Sequence, residues 1–261
     1  MSARALRAVV VVLVAVAVAG CGASGDQASG GAVDGRVTGR VTVFAAASLT
    51  ESFRRIGKDF EAANPGSTVT LNVAGSSALA NQINQGAPAD VFASAAPANM
   101  ATVTAAGNAD GTPTTFARNQ LVIAVPRGNP AGVTGLADLS RSGVKVALCA
   151  SQVPCGAAAR TALDAAGVAL TPVTLEQDVK GALAKVRLGE VDAALVYRTD
   201  ARAASADVTG VEFPESARAV NDYPIVALRD APNPAGAKAF VAYVRSAPAQ
   251  AVLAEAGFQA P

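Results

Sequence analysis

Hydrophobic and polar positions along the chain switch repeatedly between a two-residue and a helical period. Val41-Thr42-Val43-Phe44 is a run of β-favouring residues that reads as a buried strand. Directly after it, Leu49, Phe53, Ile56 and Phe60 recur at the spacing that turns one helix face toward a core. Continued to the C-terminus, the pattern predicts strands over 41–45, 68–73, 90–94, 119–126, 144–149, 193–197, 211–213 and 223–229. It predicts helices over 49–63, 77–86, 97–106, 155–166, 178–188, 199–204, 234–246 and 248–256. Asn64-Pro65-Gly66, Gly86-Ala87-Pro88 and Gly167 supply helix stops just past the apolar pattern. Strands that alternate with helices in this way predict an α/β fold with largely parallel strands.

Two of the expected strands, 119–126 and 223–229, are long, apolar and flanked by Pro or Gly. They are placed to carry the chain across to a second α/β lobe and back, and the segment between them is long enough for a small lobe of its own. The expected division is 40–122 for the first part of lobe one, 123–224 for lobe two and 225–261 for the return. Lobes joined by two strands hinge, and ligands bind in the cleft between them.

The first residues follow another pattern. Arg4 and Arg7 precede an apolar run from Ala8 to Ala19, the layout of a secretory signal over 1–20 and too short to span a bilayer. The run closes on Val18-Ala19-Gly20-Cys21, which resembles a bacterial lipoprotein signal and makes Cys21 the candidate for lipidation; the alternative is a signal peptide with a chance cysteine. Residues 21–39, rich in Gly, Ser and Ala, read as a flexible tether. The expected location is outside the cell membrane, anchored to its outer face by a lipidated Cys21.

Composition narrows the chemistry. The 261 residues are 51% hydrophobic and only 4% aromatic, with no tryptophan to stack on a sugar or a base. There is no histidine, which removes any Ser-His-Asp or Cys-His enzyme and the commonest metal ligand. The net charge of +1 comes without a block of like charge, so no nucleic-acid surface is expected. Apart from Cys21 the chain has Cys149 and Cys155, six positions apart. In an oxidising compartment these read as a disulfide worth about 2 kcal/mol by loop entropy, the alternative being two buried thiols.

Ser48 stands at the junction of the first strand and helix, and Ser48-Leu49-Thr50-Glu51 spells a capping box. A strand that turns into a helix there leaves unpaired N–H groups and the positive end of the helix dipole pointing outward, a seat for an anion. The plainer reading is that Ser48 caps its own helix and binds nothing.

Further motifs give a resemblance. Val43-Phe44-Ala45-Ala46-Ala47-Ser48-Leu49, Ala74-Gly75-Ser76-Ser77-Ala78-Leu79-Ala80-Asn81-Gln82-Ile83 and Gly86-Ala87-Pro88-Ala89-Asp90-Val91-Phe92 resemble the first lobe of the periplasmic molybdate-binding proteins, the receptors of molybdate ABC importers. Val153-Pro154-Cys155-Gly156, Asp178-Val179-Lys180-Gly181-Ala182-Leu183 and Leu195-Val196-Tyr197 fall where that family has its second-lobe motifs. The similarity covers about residues 40–261 in order and spacing. It implies a type II periplasmic binding protein fold and a non-catalytic monomer. It further implies a molybdate or tungstate ligand with no other cofactor, and permease and ATPase subunits of an importer as partners.

The resemblance also implies a ligand set. Ser48 and Ser76 would each give a hydroxyl and a backbone N–H, Cys155 and Val179 a backbone N–H, and Tyr197 its hydroxyl. The oxyanion would be held through its oxygens, with no protein ligand on the metal itself. Many relatives have a small apolar residue where this chain has Cys155. Bonds from neutral donors to an anion are worth about 1.5–3 kcal/mol each, so seven or so can offset the burial of a dianion. A site with donors and no acceptor rejects hydrogen phosphate, cavity size must separate sulfate, and tungstate is expected to bind like molybdate. Two other functions were open: an exported two-lobed enzyme of dehydratase type, for which Glu51 and Asp178 are the nearest acids, and a receptor for a small carboxylate, for which Arg118 and Arg198 are the candidate partners.

Overall fold

Two five-stranded sheets, each with its own helices, organise residues 37–261, the part of the chain that the computed structural model describes. The signal segment, Cys21 and nearly all of the expected tether lie outside the described residues. Among the described residues no helix is long and apolar enough to cross a membrane.

The first sheet has the order β2-β1-β3-β10-β4, built from β1 (Gly39–Ala46), β2 (Ser67–Ala74), β3 (Val91–Ala93), β4 (Ala109–Asn119) and β10 (Asn221–Leu228). The first three strands run parallel, and β10 runs antiparallel to both β3 and β4. The second sheet has the order β7-β6-β8-β5-β9, from β5 (Leu121–Pro126), β6 (Val146–Cys149), β7 (Thr174–Glu176), β8 (Ala193–Tyr197) and β9 (Val208–Val211). Here β6, β7 and β8 are parallel and β5 is antiparallel to its neighbours β8 and β9. The architecture is the two-lobed α/β fold of periplasmic binding proteins.

The helices are α1 (Thr50–Ala63), α2 (Ser76–Asn84), α3 (Pro97–Ala105), α4 (Pro154–Ala166), α5 (Val179–Arg187), α6 (Arg198–Ala203), α7 (Pro234–Val244) and α8 (Ala247–Ala256). Each begins and ends within two residues of the expected bounds, because the apolar stripes and breakers are unambiguous. Gly167 ends α4 at φ 66°, the left-handed turn that glycine adopts without strain.

The strand expectations need correction at four points. Residues 119–126 are not one strand: β4 ends at Asn119, Gln120 breaks the ladder, and β5 starts in the other sheet. The long β4 was missed because Asp110-Gly111-Thr112-Pro113 reads as a turn. As the sheet edge it pairs along its length with β10, through two register shifts, and otherwise makes a single bridge from Arg118 to Gln259, so a proline and polar residues are tolerated. The other missed strand, β7, is also an edge, and β9 lies at 208–211 rather than 211–213.

Sequence also set the character of the two cores. Around the first sheet, Phe53 packs against Phe116 and Phe240 with ring centroids 5.8 and 6.0 Å apart, and Phe60 stacks edge-on against Phe240 at 5.3 Å. Around the second sheet the core is built mainly of Ala, Val and Leu from β5, β6, β8, α4 and α5. That core is held at one corner by a disulfide between Cys149, the last residue of β6, and Cys155 in the first turn of α4. The loop it closes is tight. A Cβ on Gly156 would overlap the carbonyl oxygens of Ala150 and Cys149, so the helix can start there only on glycine.

Replacing both Cys149 and Cys155 by serine should lower stability by about 2 kcal/mol. For a chain of this size that corresponds to a fall of about 4–8 °C in Tm, measurable by calorimetry on the oxidised wild-type protein and the variant.

Candidate functional site

Five places where a strand gives way to a turn or helix meet at one small cavity. Ser48 lies in the short 3-10 turn Ala47–Leu49 after β1, and Ser76 is the first residue of α2 after β2. Cys155 is in the first turn of α4 after β6, Val179 opens α5 after β7, and Tyr197 ends β8. All five residues are buried, and all five line the same small cavity, whose free volume is only about 10 Å³. That is far below the roughly 300 Å³ where pockets for drug-sized ligands begin, so nothing larger than a small inorganic ion suits it.

The donors in this cavity are unspent. The hydroxyl of Ser76 accepts a hydrogen bond from the Ala95 N–H at 2.9 Å, which leaves its own proton without an acceptor among the described residues. Asp178 caps α5 by accepting from the Gly181 N–H at 2.9 Å, so the N–H of Val179 is not consumed by the cap. Pro154 at the start of α4 has no N–H, and Cys155 brings the first donor of that helix. The Tyr197 hydroxyl is buried with no hydrogen-bond partner among the described residues. Burial, and then the neighbouring Tyr223 and Asp200, push its pKa well above the ordinary phenol value, so it stays a donor at any physiological pH. An unpartnered hydroxyl in such a place costs about 1–3 kcal/mol unless a ligand accepts from it.

Ser48 is not a helix cap. The 3-10 turn moves the start of α1 to Thr50, no side chain caps either helix start, and the Ser48 hydroxyl lies 2.9 Å from the Tyr223 hydroxyl instead. Glu51, the other half of the expected capping box, reaches Lys180 of α5 at 2.8 Å. No lysine or arginine lines the cavity. Arg118 pairs with Asp222 at 2.7 Å, and Arg198 grips Glu212 through two bonds of 2.7 Å, so neither is free to hold a carboxylate ligand. Among the described residues no group of three or more His, Cys, Asp or Glu is placed to hold a metal ion.

Sequence reading missed what surrounds these five. Gly75 sits so close to the other half that a Cβ would overlap the Gln177 carbonyl oxygen. Lys180 Nζ bridges Glu51 and, at 3.1 Å, Asp200, whose side chain is fully buried. The ammonium approaches Asp200 out of hydrogen-bond alignment, leaving both carboxylate oxygens without such a bond. Burial raises the Asp200 pKa to about 6 against the pull of Lys180. Burial opposes the charge on Lys180 too, but Asp200 and Glu51 outweigh it and its pKa is raised. The Gly75–Gln177 approach and the Lys180–Glu51 bond form only across the two halves, and Lys180 meets Asp200 only when α5 packs on α6, so nothing in the local sequence could signal them.

A small cavity between two α/β lobes, lined by neutral donors at strand ends, defines a solute receptor for a compact anion. The chain belongs to the bacterial extracellular solute-binding proteins, whose family model matches residues 41–259. It is 45% identical over 249 residues to the molybdate-binding protein ModA of Mycobacterium tuberculosis, covering 95% of each chain. Among solved structures it is similar to the substrate-binding domain of a putative molybdenum ABC transporter from Clostridium difficile, at 27% identity and TM-score 0.64, covering 86% of this chain and 100% of that one. It also shares its fold with the periplasmic molybdate-binding protein of Azotobacter vinelandii, at 21% identity and TM-score 0.73, covering 85% and 99%. The family expected from the motifs is thereby established.

Two measurements check this geometry. Gly75→Ala should weaken ligand binding at least tenfold in calorimetry, because the new methyl overlaps the Gln177 carbonyl oxygen and forces the two walls of the cavity apart. Asp200 holds its proton more tightly in the folded chain (about 6) than at the ordinary 3.8. Its contribution to stability is therefore complete below about pH 4 and is lost as pH rises through about 6, by at most about 1.4 kcal/mol per pH unit. Urea denaturation across that range should show the slope in the wild type and a shallower one in Asp200→Asn.

Proposed function

We propose that this protein binds molybdate outside the cell membrane and delivers it to an ABC importer. The observation that carries the reading is the Tyr197 hydroxyl, buried and without a partner among the described residues, in a cavity where the serine hydroxyls and helix-start N–H groups are donors and the one carboxylate, Asp178, is engaged in capping α5. A tetrahedral dianion supplies acceptors in every direction and needs no cation in the site, provided each oxygen is met by a hydrogen bond. Ser48, Ser76 and Tyr197 would give hydroxyl protons, while Ser48, Ser76, Cys155 and Val179 would give main-chain N–H groups. The 45% identity to a molybdate-binding protein supports the choice of metal oxyanion. Tungstate, of nearly the same size and charge, is proposed as an equal ligand.

The cavity also supports a receptor rather than an enzyme. The one acid on its wall, Asp178, is turned to cap α5, and no histidine exists to move a proton. The receptor acts as a monomer with no cofactor, and its partners are the importer's permease and ATPase subunits. For the lobes the proposed division follows the change of sheet, near Gln120 and between Val211 and Asn221, a few residues before the expected bounds of 122/123 and 224/225. A lipid on Cys21, after removal of residues 1–20, would hold the receptor at the membrane by the flexible segment that follows.

Isothermal titration of the purified chain with molybdate, tungstate, sulfate and phosphate tests the reading. Tight binding of the first two and weak or no binding of the last two is expected, and no heat with molybdate would overturn it. Tyr197→Phe should weaken molybdate binding about 10- to 150-fold, the worth of one hydrogen bond to an anion, without loss of thermal stability.

A further inference from the structure

Resting on that reading, we infer that Asn119 and Tyr223 are positioning residues that force Ser48 to act only as a donor, and so make the site reject anions that carry a proton. The 2.9 Å contact between the Ser48 and Tyr223 hydroxyls is by itself ambiguous, since either oxygen can donate. Its direction is settled two residues away. The Asn119 Oδ1 accepts from the backbone N–H of Gln120 at 2.9 Å, which fixes the orientation of the amide. Its Nδ2 therefore faces Thr199 Oγ1 at 2.9 Å and, more loosely, the Tyr223 hydroxyl at 3.4 Å.

An amide nitrogen has no lone pair to offer, so the Tyr223 oxygen must accept at that end. The single phenolic proton then points at Ser48. Ser48 accepts it, and the serine proton is directed away from Tyr223, toward the cavity that Ser48 lines. The reverse direction would aim the phenolic proton at the Asn119 amide group, which cannot take it, or at the neighbouring Tyr197 hydroxyl, which is not placed to hydrogen-bond. Both Asn119 and Tyr223 are buried, so water does not compete for these groups. Burial also pushes the Tyr223 pKa up, so the phenol keeps its proton at any physiological pH.

The same arrangement recurs at Ser76, whose oxygen is occupied by the Ala95 N–H. Both serines of the first lobe thus accept one hydrogen bond from behind and keep a proton for which the described residues offer no acceptor, so that the ligand meets the proton. A hydroxyl free to rotate can greet either a bare oxygen or an O–H, whereas one held as a donor can greet only the bare oxygen. Tetraoxo dianions offer only bare oxygens. Hydrogen phosphate and hydrogen arsenate do not.

The test is calorimetric titration of the full chain and of Tyr223→Phe with molybdate and with hydrogen phosphate, near neutral pH. Tyr223→Phe should weaken molybdate binding about tenfold and narrow the preference for molybdate over hydrogen phosphate, because Ser48 is released to accept. In a Ser48→Ala background the same substitution should change affinity by less than about twofold. Asn119→Leu removes the donor at the far end and should narrow the preference in the same way. Unchanged selectivity in both variants, or an equal loss from Tyr223→Phe with and without Ser48, overturns the relay. Absence of molybdate binding by the wild-type chain overturns the functional reading instead.

Discussion

A buried negative charge must be met by a hydrogen bond at each of its oxygens, or it does not leave water. The rest of this structure serves that constraint. Helix starts are the one place in a protein where main-chain N–H groups lack partners by construction, and three of them, on α2, α4 and α5, open onto the same cavity. Each sits at the carboxyl end of a parallel strand, where α/β folds leave a crevice. Neutral donors fixed in place cost little to reorganise on binding, whereas a lysine or arginine would have to give up its own hydration and side-chain freedom.

Holding those donors still is the work of the local structure. The disulfide between Cys149 and Cys155 and the glycine at 156 lock the start of α4 against β6. Asp178 takes the Gly181 N–H so that α5 is capped without consuming the donor that faces the cavity. The Ala95 N–H, from the strand-end beside β3, occupies the back of Ser76. These are short, buried contacts, and their common effect is to leave one unspent proton per position.

The two halves meet through few but specific contacts. Gly75 lies against the Gln177 carbonyl, Lys180 joins Glu51 to Asp200, Asn119 joins Thr199 to Tyr223, and the Tyr197 and Tyr223 rings stand edge to face with centroids 5.9 Å apart. The fully buried Asp200 is a cost to stability, retained where the charge network crosses from α5 and α6 to α1. Polar contacts across a cleft break and re-form more easily than a continuous apolar core, which is what a receptor that opens and closes requires.

Much of this was legible before any coordinates. The strand-helix alternation, every helix and the disulfide pair follow from patterns that are local: apolar period, breakers and cysteine spacing. The five residues at the cavity came instead from the resemblance of whole motifs to a known family, since read singly Val179 looks like core and the two serines like caps. Four things were decided only by the tertiary structure. The edge strand β4 forms because β10 offers it a partner, not because 109–119 reads as a strand. Ser48 gives up the cap because a 3-10 turn delivers it to a tyrosine 175 positions away. Gly75 takes its role from Gln177 in the opposite half, Asp200 from its burial and from Lys180 of the neighbouring helix, which Glu51 of the other half also holds, and the direction of the Ser48 proton depends on an amide at the point where the chain changes sheet. Local spacing specifies which residues can donate. Which way each proton points depends on partners remote in sequence, and only folding brings those within hydrogen-bond reach.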